Sequence, residues 1–151
     1  MVRYMAAEVI EVKTDEQLQQ CLEIRKEVFV DEQQVPMEDE IDDLDTLDAK
    51  ANHILLQVDG EIAATGRIKW LDESTAKMQR IAVRKPYRGH GIGRSLMLAL
   101  EQLARSMGAT ASILDGQCQA EGFYQMLGYR TISEEPFYDA GILHVRMEKK
   151  L

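Results

Sequence analysis

The sequence predicts an α/β fold of the mixed, α+β kind: a largely antiparallel sheet flanked by helices, in one domain over residues 1–151. Three observations carry that prediction. Two β-rich runs in NHILLQVDGEIAATGRIKWL meet at Asp59-Gly60, a strong hairpin signal. IGRSLMLALEQLARSM repeats apolar residues every three or four positions, the period of a helix with one buried face. MQRIAV, a glycine-rich turn and that helix follow one another directly, so strands and helices meet within one unit.

Taken in order, AAEVIEVK alternates near its end and predicts a first strand over residues 6–12. Thr14 offers an N-cap with Gln17 three residues on, a capping-box pattern. The helix behind it carries Leu18, Cys21, Leu22, Arg25, Val28 and Phe29, an apolar stripe with one polar member. Residues 31–50 are polar, acidic and interrupted by Pro36, which predicts a solvated loop with room for one helical turn. After the hairpin, a second turn at residues 72–75 leads into AKMQRIAV and completes a three-stranded meander. The helix of residues 91–107 should bury Ile92, Leu96, Leu100, Leu103 and Met107, with Gly108 as its stop. ASILDG reads as a short strand, residues 120–127 as a second helix closed by Gly128, and residues 129–133 and 143–149 as two last strands. Trp70 is expected in the sheet core.

Charge narrows the function. The net charge of −8 argues against a nucleic-acid partner, which needs a dominant basic surface. Leu96–Leu100 is the longest apolar run, far too short for a bilayer, so no membrane partner is expected. MVRYMAAEVIEVK turns acidic before any leader-like apolar stretch, and Cys21 and Cys118 form neither a disulfide framework nor a metal-ligand spacing. A cytoplasmic protein without a metal is the expectation. The charge is uneven: residues 38–48 hold seven carboxylates in eleven positions, whereas Lys77 to Leu100 contains no acid and is rich in Lys and Arg. An acidic protein with one basic stretch around a glycine turn points to a small polyanionic ligand, and the acidic tract could draw in a cationic one.

That turn reads RKPYRGHGIGRSLM, with glycines at alternate positions 89, 91 and 93. First-turn helix amides lack intrahelical acceptors and lie at the positive end of the dipole, so phosphate satisfies both if no side chain blocks the approach. A dinucleotide fingerprint fails because Arg94 stands where its last glycine belongs, and no Gly-Lys-Ser/Thr ending marks a P-loop.

Arg88-Gly89-His90-Gly91-Ile92-Gly93 resembles the R/Q-x-x-G-x-G/A pyrophosphate loop of the GNAT superfamily of N-acetyltransferases. IAVRKPYRG before it resembles the superfamily's fourth strand, and AEGFYQMLGYR after it resembles the A-x-x-F-Y-x-x-x-G-F/Y helix signature. EVFVDEQQVPMEDEIDDLD and DAGILHVRME further resemble the ElaA-like branch. The resemblance implies a sheet splayed between its fourth and fifth strands, with acetyl-CoA as donor and a small-molecule or peptide amine as acceptor. It implies a diphosphate on the amides of Arg88, Gly89, His90, Gly91, Ile92, Gly93 and Arg94, and a pantetheine arm pairing with Ile81, Ala82 and Val83. The Val83 amide would face the developing oxyanion. Tyr124 falls where the family carries a general acid toward the leaving thiolate. Gln117 would orient the donor or Tyr124, or serve only as a strand-end cap. A homodimer is common among such proteins.

The base stays open. Many relatives have a glutamate where this chain has Gln79, whose amide cannot take a proton. Glu32, Glu38 and His144 are candidates, as is loss of the amine proton through ordered water. Without a base, the same features describe a CoA-binding sensor or interaction module. Cys118 lies near the motif but has no paired histidine in it, so it reads as an inert thiol.

Overall fold

The computed structural model describes residues 7–151. The expected start of the first strand at residue 6 lies outside them. In chain order the elements are β1 (Ala7–Glu11), α1 (Asp15–Arg25), a π-helical extension (Lys26–Glu32), α2 (Met37–Glu40), β2 (Ala51–Val58), β3 (Glu61–Trp70) and β4 (Thr75–Val83). After a 3-10 turn at Lys85–Tyr87 come α3 (Ile92–Ser106), β5 (Ala111–Gln117), a 3-10 turn at Cys118–Ala120, α4 (Glu121–Met126), β6 (Arg130–Thr131), β7 (Phe137–Asp139) and β8 (Ile142–Lys150).

The sheet runs β1-β2-β3-β4-β5-β8-β6, with β7 paired to β8. Every pairing is antiparallel except β4 with β5, which is parallel. Both faces are covered, which explains the unbroken apolar run of β2. Ile54, Leu56 and Val58 pack with Leu96, Leu100 and Ala104 of α3, while Leu55 packs with Cys21, Ile24 and Val28 from the helix on the other face. The capping box opens α1 as expected: Thr14 Oγ1 accepts from the Gln17 amide at 3.2 Å, and Gln17 Oε1 from the Thr14 amide at 3.2 Å.

Three expectations are corrected. Met107 is 48% exposed, because the buried stripe of α3 runs through Ile92, Leu96, Met97, Leu100, Glu101 and Ala104 and ends before it. Trp70 is half-buried at the edge of the core, its indole N–H donating to Asn52 Oδ1 at 2.9 Å. A third strand, β7, joins the two expected at the C-terminal end; it turns into β8 through Ala140 and Gly141, both at positive φ (51° and 78°).

Candidate active site

β4 and β5 pair only from Thr75↔Ala111 to Met78↔Leu114. Beyond that point Gln79–Val83 and Asp115–Gln117 diverge, and the sheet opens into a cleft of about 830 Å³. A bulge shapes its floor: the β3–β4 register shifts between Thr65↔Ala82 and Arg67↔Gln79, and Arg80 lies at φ +55°. Arg84 N–H donates to the Ala63 carbonyl at 2.8 Å, so in the ladder's alternation Ala82 faces β3 while Val83 faces the open side. Ile81, Ala82 and Val83 all line the cleft.

At one end lies the glycine turn. Gly89 and Gly91 sit at φ +79° and +78°, conformations that L side chains resist, and a Cβ on either would stand in open space. Gly93 has a different task, since a Cβ there would come within 3.2 Å of the Phe123 ring. The first helical bond of α3 runs from Ser95 N–H to the Gly91 carbonyl, and the amides of residues 89–94 have no acceptor among the described residues. Lys85, His90 and Arg94 are exposed and carry no ion pair among those residues. Arg88 is already engaged: Nε donates to the Val83 carbonyl at 2.9 Å and an Nη donates to Glu32 at 2.6 Å. Glu32 thus anchors Arg88 and is not part of the cleft wall.

Further in, Tyr124 from α4 lines the cleft at 8% exposure, its hydroxyl without a hydrogen bond among the described residues. Burial pushes its phenol up to about 12. Its place is set by rings and by an absence: Phe123 and Tyr129 meet it edge-on, and a Cβ on Gly116 of β5 would lie 3.0 Å from it. Gly116, by its sequence pattern only a strand residue, thus leaves the space that the Tyr124 ring fills. His144 of β8 lies opposite Gln117 of β5 and is 9% exposed. Its Nδ1 is 2.7 Å from the Ile142 carbonyl, which can only accept, so Nδ1 donates there and, in the neutral ring, Nε2 is the nitrogen with the lone pair. Gln117 donates to Gln33 at 2.8 Å, joining β5 to the segment after the π-helical turn. Glu38 also lines the cleft.

The wall beside α2 is held from behind by ions. Arg25 and Arg67, each 1% exposed, share Asp45: Arg25 binds it at 2.6 and 2.9 Å and Arg67 at 3.0 Å. Arg25 also reaches Glu40 at 2.8 Å, and Arg67 reaches Asp42 at 2.8 and 3.0 Å and Gln79 at 2.8 Å. Arg80 completes the cluster against Glu40 at 3.1 Å. Burial works against the Asp45 charge, but the Arg25 hydrogen bonds and the Asp42 amide outweigh it and hold the carboxyl well below the usual range. Burial dominates at Glu40 and moves its carboxyl up. The expected solvated loop is therefore corrected in part: Glu40 and Asp45 are buried counter-ions and Asp42 an exposed one, because three distant segments bring arginines to them. Gln79, which stands where the resemblance would imply a base, accepts from Arg67 of this cluster.

A sequence model of the acetyltransferase (GNAT) domain matches residues 9–151. The chain belongs to the GNAT acetyltransferase family. It is 44% identical to the uncharacterized N-acetyltransferase YjcF of Bacillus subtilis, over 91% of this chain and 95% of that one. It is 30% identical to protein ElaA of Escherichia coli, over 89% and 88% of the two chains. The crystal structure of Escherichia coli ElaA superposes with a TM-score of 0.82 at 27% identity, covering 97% of this chain and 99% of that one. PaiA N-acetyltransferase from Thermoplasma acidophilum, solved in complex with coenzyme A, shares the fold at a TM-score of 0.72 and 19% identity, covering 97% and 100%. The expected GNAT architecture and the likeness to ElaA both hold, down to the opening between β4 and β5.

Proposed function

We propose that residues 1–151 form one N-acetyltransferase domain that moves an acetyl group from acetyl-CoA to a primary amine in the cytoplasm. The observation that carries this reading is the run of unpaired amides at residues 89–94, directly following Arg88 on the lining of a cleft that runs between two diverging strands and has the Tyr124 phenol in its wall. Those amides and the unpaired cations beside them suit a diphosphate. The β4 backbone facing the gap suits the pantetheine arm, and its N–H groups on that side, Val83's among them, are the donors for the developing oxyanion. The neighbour solved with coenzyme A has the same fold. Free Cys21 and Cys118 suit a reducing compartment.

In this reading the neutral amine attacks the thioester carbon and its surplus proton passes to Nε2 of His144. The carbon–sulfur bond then breaks, coenzyme A leaves as the thiolate, and the proton taken up by His144 returns to it through water to give the thiol. His144 is preferred over Glu32, which is committed to Arg88. A thiol has an ordinary pKa of about 8.5, well below the value of about 12 reached by Tyr124. Early, complete proton transfer from the phenol would be uphill. Its contribution is a hydrogen bond that strengthens as the sulfur gains charge, and a bond to a charged group contributes about 1.5–3 kcal/mol.

Tyr124→Phe should therefore lower kcat by about 10- to 100-fold while leaving acetyl-CoA affinity near normal. His144→Gln should lower kcat/KM by about tenfold, water relaying the proton in its stead. A thiol-release assay across amines reads both. Unchanged turnover in Tyr124→Phe removes the phenol from the mechanism, and acetyl-CoA binding without thiol release from any amine would leave a coenzyme-binding module instead.

A further inference from the structure

We propose that the acceptor is an amine carrying a second positive charge, a diamine or polyamine, whose distal ammonium is held by Glu38 and Asp39, with Asp139 lining the same cleft from the β7–β8 side. The inference rests on the acetyltransferase reading above and narrows its substrate. Three cations that line the cleft are already paired: Lys77 with Asp115 at 3.1 Å (a carboxylate that Arg146 shares at 2.8 Å), Arg80 with Glu40 at 3.1 Å and Asp42 at 3.4 Å, and Arg88 with Glu32 at 2.6 Å. The carboxylates left without an ion pair among the described residues are Glu38 and Asp39 of α2 and Asp139 of the β7–β8 hairpin. All three are exposed, and they come from opposite ends of the chain to one cleft. The unpaired charges lining it are therefore negative and lie at its exposed rim.

A second observation places a ligand inside that wall. Tyr124 and His144, each at least nine-tenths buried, line the same cleft, and the Tyr124 hydroxyl and His144 Nε2 have no partner among the described residues. Both atoms are open to the cleft, and an amine N–H suits the lone pair of a neutral Nε2. The reacting amine thus belongs at the inner end and the remote charge at α2. An acceptor with its own carboxylate would meet three acids and no free cation, and a monoamine would gain nothing at the rim.

Thiol release measured with butylamine, 1,4-diaminobutane, spermidine and glycine over a range of NaCl concentrations tests this. Spermidine should exceed butylamine in kcat/KM by about tenfold at low salt, with the gap shrinking as salt rises. The double variant E38Q/D39N should erase the gap. A calorimetric titration of spermidine into protein saturated with coenzyme A reads the same site without turnover, and the double variant should weaken that binding by about tenfold. Equal use of butylamine and spermidine, a preference for glycine, or a gap that neither salt nor E38Q/D39N moves would overturn the polycation and leave the acetyltransferase reading standing. Absence of both coenzyme A binding and thiol release would sink that reading first.

Discussion

Gly91→Val is expected to weaken acetyl-CoA binding by more than about 100-fold while the protein remains folded. A bond from an amide to a charged group contributes about 1.5–3 kcal/mol, so pushing a diphosphate off two amides exceeds that factor. The side chain would enter the open space beside the turn, where residue 91 has nothing within 4 Å. Backbone strain is the competing explanation, because Gly91 sits at φ +78° and a left-handed L residue costs about 1–2 kcal/mol. Gly60 separates the two effects. It has φ +81°, equally open surroundings and a place in the β2–β3 turn outside the cleft. Gly60→Val should lower thermal stability to a similar degree and leave the calorimetric affinity for acetyl-CoA unchanged. Wild-type affinity in Gly91→Val would remove the turn from donor binding.

Asp45→Ala should cost about 3–5 kcal/mol of stability, the range for stripping one partner from a buried ion pair. The carboxylate is shared by two guanidinium groups, Arg25 and Arg67, each 1% exposed, and its loss leaves both short of a counter-ion. Against a total of about 5–15 kcal/mol the melting temperature should fall by about 10 °C or more. The effect has a pH signature. The carboxyl is held below its ordinary range in the folded chain, so the stability it contributes is complete above the unfolded carboxylate value and disappears as pH falls through the folded one. The gap between wild type and Asp45→Asn should be flat above about pH 5 and close at strongly acid pH. Glu40, moved the other way by burial, is common to both proteins and cancels from that difference. A melting temperature within about 2 °C of wild type would show that the cluster does not hold the α2 wall.

The parts of the fold with local chemical punctuation were legible from sequence. Asp59-Gly60 marked the β2–β3 turn and adopts positive φ at both residues (51° and 81°), while Thr14 and Gln17 marked the start of α1. The glycine turn was readable because alternate glycines have a physical reason there: Gly89 and Gly91 adopt φ +79° and +78°. What periodicity does not encode is where lateral pairing ends, and the opening between β4 and β5 entered through the family resemblance alone. β7 escaped because three residues leave no pattern and its Ala140-Gly141 turn lacks an Asn or Asp signal. The acidic tract misled because composition alone reports solvation, whereas its counter-ions Arg25, Arg67 and Arg80 come from three other elements. The local hint was Arg25, a lone charge in the apolar stripe of α1. Gly116 was legible as a strand residue but not as the space Tyr124 requires, which only the packed α4 reveals.

The central claim, that the free amides of residues 89–94 hold a diphosphate and so direct a thioester toward Tyr124, is tested most directly by a crystal structure of the protein with coenzyme A. The diphosphate oxygens should lie within about 3.2 Å of those main-chain nitrogens, with the sulfur in the cleft beside the phenol. A coenzyme bound elsewhere, with those amides facing solvent or capped by a side chain of the protein itself, would contradict it.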